Sequence, residues 1–415
     1  GGLNVTAGIT TVQALQATTG TFSSTGSFGG DVTVNSVAVG RGAGNATNTL
    51  LGSGALDASS TGGNNVAIGK DALTSMSGGG NNVAVGSGAL DADTTGSQNT
   101  AVGRSAAGAI TTGSRNTAIG NDALLVSETA SHNTAVGDRA LYSNTTGENT
   151  AVGMMSLYAN TTGTQNTAVG VQALDANTTA DNNTAMGYAA LGANTTGANN
   201  TSVGAGALVA NTTGGTNTAV GSLALDASNA DNCTAIGYAA LGANTTGTRN
   251  TAVGTRSLEQ NTTGQLNVTY GYESGQVNNA DGITAIGYKA LEANTTANYN
   301  TALGYEALRT NTTGGTNGPN VAIGKFALYA NTTGDNNVAI AALGANTTGS
   351  DNTGVGSGAL AANTTGSQNT AVGSETLDAG NHTNCNAFGY QALSANSTGA
   401  SNCAFGSHAL QLNTT

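Results

Sequence analysis

The chain of 415 residues has no tryptophan, a single proline (Pro319), and few charged or aromatic side chains, 8% and 4% respectively. This composition is far from that of an average globular domain, although a chain of this length would ordinarily form two or three of them. Disorder is not favoured either, because disordered segments usually combine high net charge with few β-branched residues. Here Thr and Val recur at fixed intervals, so the composition indicates a structure ordered by repetition.

Basic residues are scarce and lie singly along the chain, ten Lys and Arg against 22 Asp and Glu, for a formal net charge of −12. A nucleic-acid partner is therefore not expected, because phosphate-binding surfaces need clustered Lys and Arg. No apolar run reaches the roughly 18 residues of a membrane-spanning helix, so we expect no membrane insertion. Since the chain begins without Met or a signal sequence and stops within a repeat, we expect either that a signal or anchoring part has been removed or that this is the ordered piece of a longer chain.

Residues that could carry out chemistry are also scarce. The stretch NTAVGMMSLYANTTGTQNTAVG (Asn149 to Gly170) contains no His, Lys, Arg, Asp, Glu or Cys, and therefore no obvious general acid, general base, metal ligand or activated nucleophile. Elsewhere, three histidines lack a repeated acidic partner, and three aspartates recur at a regular interval without a calcium-binding pattern: His132, His382, His408, Asp181, Asp231 and Asp281. The sequence thus predicts a protein that is not an enzyme and has no catalytic, cofactor-binding or metal site.

The three cysteines, Cys233, Cys385 and Cys403, are odd in number, and each stands shortly before a repeat glycine where Asn or Thr is usual. Cys385 and Cys403 are offset by one repeat position, which in a strand directs their side chains to opposite faces. We therefore interpret all three as small residues of a tight wall and expect no disulfide.

What the chain has in abundance is a repeat. A glycine that ends the motif A-V-G or A-I-G, called the repeat glycine below, recurs at a spacing of roughly 17 residues, and some spacings are one position shorter. One spacing is longer, between Gly304 and Gly324, where the inserted positions include Pro319. The segment Asn336 to Gly349 has lost its glycine. With the shorter copies at Gly40 and Gly52, the sequence predicts about 23 coils.

The consensus of one coil is N-T-A-V-G-x-x-A-L-x-A-N-T-T-G-x-x. Before the repeat glycine, apolar residues alternate, as in Val66 and Ile68, which is the period of a β-strand. The segment A-L-x-A is interpreted as a second strand, because so short a coil cannot hold a strand, a helix and two turns. We therefore predict an all-β, parallel β-solenoid with about 17 residues per coil. It would occupy positions 36–415 and follow an extended connector at positions 1–35.

Two further features of the coil have a mechanical interpretation. Glycine at a corner between stacked strands permits positive φ or close backbone approach. Asparagine at a second corner tolerates the left-handed conformation and can bond its amide to the asparagine of the next coil; this ladder would include Asn144, Asn160, Asn177, Asn194 and Asn211. A core of one Val, one Leu and a few Ala per coil is thin, so we predict that another face is buried in a homotrimer.

The segment NSVAVGRGAGNATNTLLGSGAL (Asn35 to Leu56), with the V-A-I-G and V-A-V-G strands at Val66 and Val83, resembles the head repeats of YadA-type trimeric autotransporter adhesins. That resemblance implies a left-handed parallel β-roll that trimerises. The longer coils with an added N-T-T-G, and the lead-in from Thr19 to Gly44, are more similar to bacteriophage tail fibres and related virion appendages. The resemblance covers nearly the whole chain, from about residue 19 onward.

Three surface features suggest ligands. Tyrosine follows the repeat glycine at six places, where exposed rings could stack on a host-surface glycan or cover a seam between coils: Tyr188, Tyr238, Tyr272, Tyr288, Tyr305 and Tyr390. The recurring N-T-T is a glycosylation sequon, but glycans about 5 Å apart on successive coils would collide. Thr ladders suggest ice binding, although the two Thr of N-T-T are adjacent and only one would point outward.

The favoured hypothesis is a structural fibre protein of a virion, a rigid trimeric shaft that projects a host-binding element. About 23 coils at roughly 4.8 Å each would give a rod near 110 Å, with other virion or cell-surface structural proteins as partners. The alternatives are a bacterial trimeric adhesin head, located at the cell surface, and a monomeric ice-binding β-solenoid.

Overall fold

The structure is a computed structural model that describes residues 32–34, 37–40, 45, 47–58, 60–312 and 318–414. All regular secondary structure in these ranges is β-strand, and the strands belong to one sheet of 24 strands. Most of the expected connector, residues 1–31 with 35, lies outside the described residues, so its extended structure stays a prediction.

The strands are short, almost all of three residues. They are β1 (Val32–Val34), β2 (Val37–Gly40), β3 (Thr49–Leu51), β4 (Val66–Ile68), β5 (Val83–Val85), β6 (Thr100–Val102), β7 (Thr117–Ile119), β8 (Thr134–Val136), β9 (Thr150–Val152), β10 (Thr167–Val169), β11 (Thr184–Met186), β12 (Thr201–Val203), β13 (Thr218–Val220), β14 (Thr234–Ile236), β15 (Thr251–Val253), β16 (Val268–Tyr270), β17 (Thr284–Ile286), β18 (Thr301–Leu303), β19 (Val321–Ile323), β20 (Val338–Ile340), β21 (Thr353–Val355), β22 (Thr370–Val372), β23 (Asn386–Phe388) and β24 (Cys403–Phe405).

Every strand from β3 to β24 pairs in parallel with the strand of the next coil, residue for residue, as in Thr167 opposite Thr184. The predicted parallel β-solenoid with about 17 residues per coil is therefore confirmed. It makes about 21 turns rather than 23, because β2 carries the repeat motif V-A-V-G but pairs antiparallel with both β1 and β3. At about 4.8 Å per coil, the parallel stack is about 100 Å long.

Each coil contains one strand, so the predicted second strand over A-L-x-A is wrong. The residue just before this segment and the leucine within it adopt left-handed φ angles, for example Gln172 at 57° and Leu174 at 52°, and this conformation replaces extended structure with consecutive turns. Its backbone still bonds to neighbouring coils, since Gln172 N–H donates to Met154 O at 3.0 Å and Leu174 N–H to Ala190 O at 3.1 Å. The turn segment is therefore tied to the stack as firmly as the strand.

The core is a column of small residues and leucine. In a typical coil the middle strand residue Ala168 and the adjacent pair Ala173 and Leu174 are fully buried, whereas Val169 faces outward. The prediction that one Val of each coil lies in the core is therefore wrong. A three-residue strand directs either its middle residue or its two ends inward, and here the middle residue, most often Ala, is the one that points inward.

The glycine corner is confirmed. Gly170 has φ of 139°, and a Cβ built on it would lie 2.3 Å from the carbonyl oxygen of Gly187 in the next coil. Backbones approach so closely at this corner that no side chain fits.

The predicted asparagine ladder is also confirmed. Its buried amides bond from coil to coil, with Asn160 Nδ2 donating to Asn144 Oδ1 at 2.7 Å and Asn177 Nδ2 to Asn160 Oδ1 at 2.8 Å. A second buried ladder was not predicted: the asparagine before each strand. Asn183 Oδ1 accepts the N–H of Asn200 at 2.9 Å, and its Nδ2 donates to Gly197 O at 3.0 Å.

Candidate binding surfaces

The outward side of the strands forms one continuous surface, which we call the strand face. The middle residue of each strand points inward, so the first and third residues point outward. The third residues form an apolar column with many exposed members: Val102, Ile119, Val152, Met186, Val220, Ile236, Tyr270, Ile286, Leu303, Ile340 and Phe405. A contiguous apolar column of this length is a candidate surface for association.

The first strand residues form a column of threonine beside the apolar one. It runs from Thr100 to Thr251 without a break, with neighbours paired directly opposite each other in adjacent strands. These are the Thr of N-T-A-V and not those of N-T-T. Hydroxyls of the N-T-T corner bond within the stack, as Thr161 Oγ1 donates to Thr178 O at 2.9 Å.

The side of the coil that follows the repeat glycine is a second surface. We define the turn face as the residues one, two, five and six places after that glycine. All six predicted tyrosines lie on it and are exposed, as predicted. Tyr272, Tyr288 and Tyr305 stack in parallel with ring centroids 5.4 and 5.0 Å apart, and Phe326 closes the stack edge-on. The stacked rings cover one another's faces, so the middle ring offers only its edge to a ligand.

Charged side chains beside this tyrosine stack alternate in sign from coil to coil. Arg256, Glu273, Lys289 and Glu306 all lie two places after a repeat glycine. Glu273 lies 3.6 Å from Arg256 and 3.1 Å from Lys289. The network continues through Glu292, and its ion pairs raise the pKa of Lys289 above its usual value. The charges are thus mutually neutralised, which fits a wall that fixes the tyrosine stack.

Two coils earlier, the turn face opens into a groove of about 440 Å³. Its walls carry an exposed aromatic ring, an exposed leucine and two carboxylates, and its floor is a stretch of Ala and Gly. The lining residues are Leu223, Asp226, Ala227, Tyr238, Ala239, Gly242, Ala243, Glu259 and Gln260. Burial raises the pKa of the Asp226 carboxyl above its ordinary value.

The three repeating aspartates are structural. Asp181 Oδ1 accepts the backbone N–H of Thr164 at 2.7 Å, and Asp231 and Asp281 accept the corresponding N–H groups of Gly215 and Gln265 at 2.7 and 2.8 Å. Each therefore caps a corner of the preceding coil. Within the described ranges, no three His, Cys, Asp or Glu side chains form a group that could hold a metal ion.

The histidines lie far apart in separate surroundings. His132 is exposed beside Arg115, and His408 packs edge-on against Tyr390. His382 is fully buried, its Nδ1 lies 3.1 Å from Asn396 Nδ2, and burial lowers its pKa.

The cysteines are all free. Cys385 is buried and Cys403 exposed, so their predicted placement on opposite faces is confirmed. Cys233 and Cys385 replace the second-ladder asparagine, and Cys233 Sγ lies 3.2 Å from Gly247 O.

Burial of the sequon asparagines argues against glycosylation of the folded protein. The sequon asparagines are the rungs of the first ladder, and Asn160, Asn177 and Asn194 are fully buried with both amide atoms hydrogen-bonded. An enzyme could not reach Nδ2 without opening the coil.

None of the described segments is a helix long and apolar enough to cross a membrane. No protein-family model matches the sequence, and the comparison with curated proteins gives no match.

Proposed function

We propose that this protein is the rigid shaft of a virion fibre, assembled as a homotrimer through the strand face, and that it projects a host-binding element from the particle. The observation that supports this proposal is the apolar column, which runs unbroken along the parallel stack with Val, Ile and larger side chains turned outward. The shaft would lie outside the cell as part of the virion, with other virion proteins at its ends.

The dimensions of the strand face suit such an assembly. It is about 100 Å long, and its two outward columns are about 7 Å apart, which gives roughly 700 Å² per chain. A standard protein interface buries about 800 Å² per partner. Because identical chains share one repeat, three copies around a common axis would match the same column at every level.

Stiffness follows from the ladders. Each coil bonds to the next through its strand, its turn segment and two columns of buried asparagine. Bending the rod would stretch all of these bonds on one side, so the stack suits a mechanical role. The same argument applies to the head of a bacterial surface adhesin, the runner-up.

Ice binding is the second candidate function, and the threonine column supports it. Ice binding requires that the strand face be exposed to solvent, because a strand face buried in a trimer cannot contact ice. The third column also varies in size through Met186, Tyr270 and Leu303. Side chains of a protein interface repack around such residues, whereas a crystal plane does not, so the trimer is favoured.

The experiment is molar mass by light scattering, compared with a subunit mass of 40.0 kDa. We expect three subunits for the unaltered protein and one for the double variant Ile119→Glu with Ile236→Glu, which places charge in the apolar column. Leu266→Glu, at an exposed leucine outside the strands, is the matched control and should stay trimeric. A monomeric unaltered protein would overturn the trimer, and thermal hysteresis of that monomer would establish ice binding instead.

Electron microscopy of the same sample tests the shaft. We expect straight rods of uniform length, about 100 Å for the coiled part. Bent or coiled particles would contradict a rigid shaft even if the mass is trimeric.

A further inference from the structure

We propose that the turn face carries two related saccharide-binding notches that bind one uncharged pyranose oligosaccharide. The first notch consists of Asp175, Tyr188 and Gly192, and the second of Asp226, Tyr238 and Gly242. This proposal goes beyond the shaft function and does not depend on the trimer, because no strand residue lines the groove.

The second notch is the groove described above. Gly242 lacks the side chain that would fill it, and a Cβ there would lie 3.3 Å from Asp226 Oδ1. Ala239 forms a nearly buried floor. The carboxylate therefore borders a space that the missing side chain leaves open.

The first notch repeats this arrangement three coils earlier. The sequence Y-A-A-L-G-A-N-T-T-G occurs from Tyr188 and again from Tyr238. A Cβ on Gly192 would lie 3.3 Å from Asp175 Oδ1, the same distance as in the second notch. Neither Asp175 nor Asp226 forms an ion pair within the described residues, and burial raises the pKa of both carboxyls. Both carboxylates are thus available to neutral hydrogen-bond donors.

The side chains of a notch match the two kinds of surface on a pyranose. An aromatic face packs on the C–H side of the ring, and a carboxylate accepts hydrogen bonds from sugar hydroxyls. Tyr188 and Tyr238 are 62% and 46% exposed. The residues before and after each of them in the same column are Val171 with Ala205, and Ser222 with Thr255, so no aromatic ring covers their faces.

Charge selects the class of saccharide. Asp226 and Glu259 both border the second notch, and two carboxylates would repel a sialylated or otherwise anionic sugar. The hydroxyl groups of an uncharged saccharide can instead donate hydrogen bonds to both carboxylates.

In the corresponding segment three coils further on, from Tyr288, side chains fill the notch, so the protein contains its own internal comparison. Lys289 and Glu292 stand where the second notch has Ala239 and Gly242, and their charged groups pair at 2.8 Å. Tyr288 in this copy lies between Tyr272 and Tyr305 with its faces covered. The same backbone thus accommodates both an open notch and a filled one.

Three coils separate the two open notches, a distance of about 14 Å along the stack. An oligosaccharide of several units can contact both at once, and the second contact then becomes intramolecular. Avidity therefore adds to the weak affinity of each shallow notch.

The test begins with a printed array of neutral and sialylated oligosaccharides, followed by calorimetry with the neutral oligosaccharide that binds best and with its monosaccharide. We expect binding to neutral members only, and two monosaccharide sites per chain. Closing one notch with Ala239→Lys and Gly242→Glu should remove one of these sites. It should also weaken the oligosaccharide at least tenfold, because avidity is lost.

Matched variants separate binding from folding. Tyr238→Ala should weaken binding, whereas Tyr288→Ala should leave it unchanged. The closing substitutions copy the third block, so their circular dichroism and molar mass should equal those of the unaltered protein. No neutral binding, preference for sialylated members, or equal effects of Tyr238→Ala and Tyr288→Ala would each overturn the proposal, whatever the mass measurement shows.

Discussion

Asp93 provides the sharpest test of how the interior of the coil is built. It occupies the first-ladder column, seven residues after a repeat glycine, but its column neighbours are the buried apolar residues Met76 and Ile110 instead of asparagine. The carboxyl accepts the N–H of Gly96 at 2.7 Å and is fully buried. Loss of hydration outweighs this bond and raises the pKa of Asp93 to about 6 from 3.8.

The sign of the pH effect follows from this shift. Between the unfolded pKa of 3.8 and the folded value of about 6, the folded protein binds more protons than the unfolded chain, so stability falls as pH rises. A difference of about two pKa units corresponds to about 3 kcal/mol. The penalty is small near pH 4 and complete near pH 7. Asp93→Asn should remove it, because asparagine is the usual residue of this column.

The assay is native-state hydrogen exchange of peptides spanning residues 86–103, at about pH 4 and pH 7, because solenoids open locally rather than in one step. Asp93→Asn should raise the opening free energy by up to about 3 kcal/mol at pH 7 and by little at pH 4. The reciprocal variant Asn160→Asp should introduce a penalty that grows with pH. An Asp93→Asn effect of equal size at both pH values would refute the reasoning.

Three further predictions concern single contacts. Gly170→Ala should destabilise its coil strongly, because the added Cβ would lie 2.3 Å from Gly187 O at a φ of 139°, whereas Gly78→Ala, with no atom nearer than 3.8 Å, should be nearly neutral in thermal melting. Asn183→Ala should cost about 2–6 kcal/mol, because it orphans the buried Asn200 N–H and Gly197 O. Asn183→Cys should cost less than Asn183→Ala in the same exchange measurement, because a thiol can donate to Gly197 O as Cys233 Sγ does to Gly247 O at 3.2 Å. Equal costs would show that this bond contributes little.

Much of the fold could be predicted from the sequence because the constraints repeat in every coil. Glycine at a fixed interval and asparagine at a corner each have a local mechanical reason, and both are confirmed at Gly170 and Asn160. Alternation alone could not show which strand residues face the core and which face outward. Val66 and Ile68 alternate equally well for an inward or an outward column, so the pattern leaves both directions open.

The second ladder and the groove were missed for different reasons. Asn183 precedes a strand, and a single sequence does not reveal that its amide reaches the next coil. The groove depends on Gly242, because this residue has no side chain to fill the space between two coils. Only the stacking of coils shows that Asp226 and Glu259 border that space. The tyrosine positions were predicted, but not that Tyr288 is covered while Tyr238 is open.

The two surfaces of the coil differ in the way they vary, and this difference separates their proposed roles. On the strand face, threonine occupies the first strand position from Thr100 to Thr251, and the third position is apolar throughout but varies in size. Identical copies present the same classes of side chain at every level, which suits contact between them. On the turn face, the residue at one position changes from Gly242 to Glu292 within a duplicated block. Local variation on a constant backbone can create distinct sites, which supports the proposals of ligand binding on the turn face and assembly on the strand face.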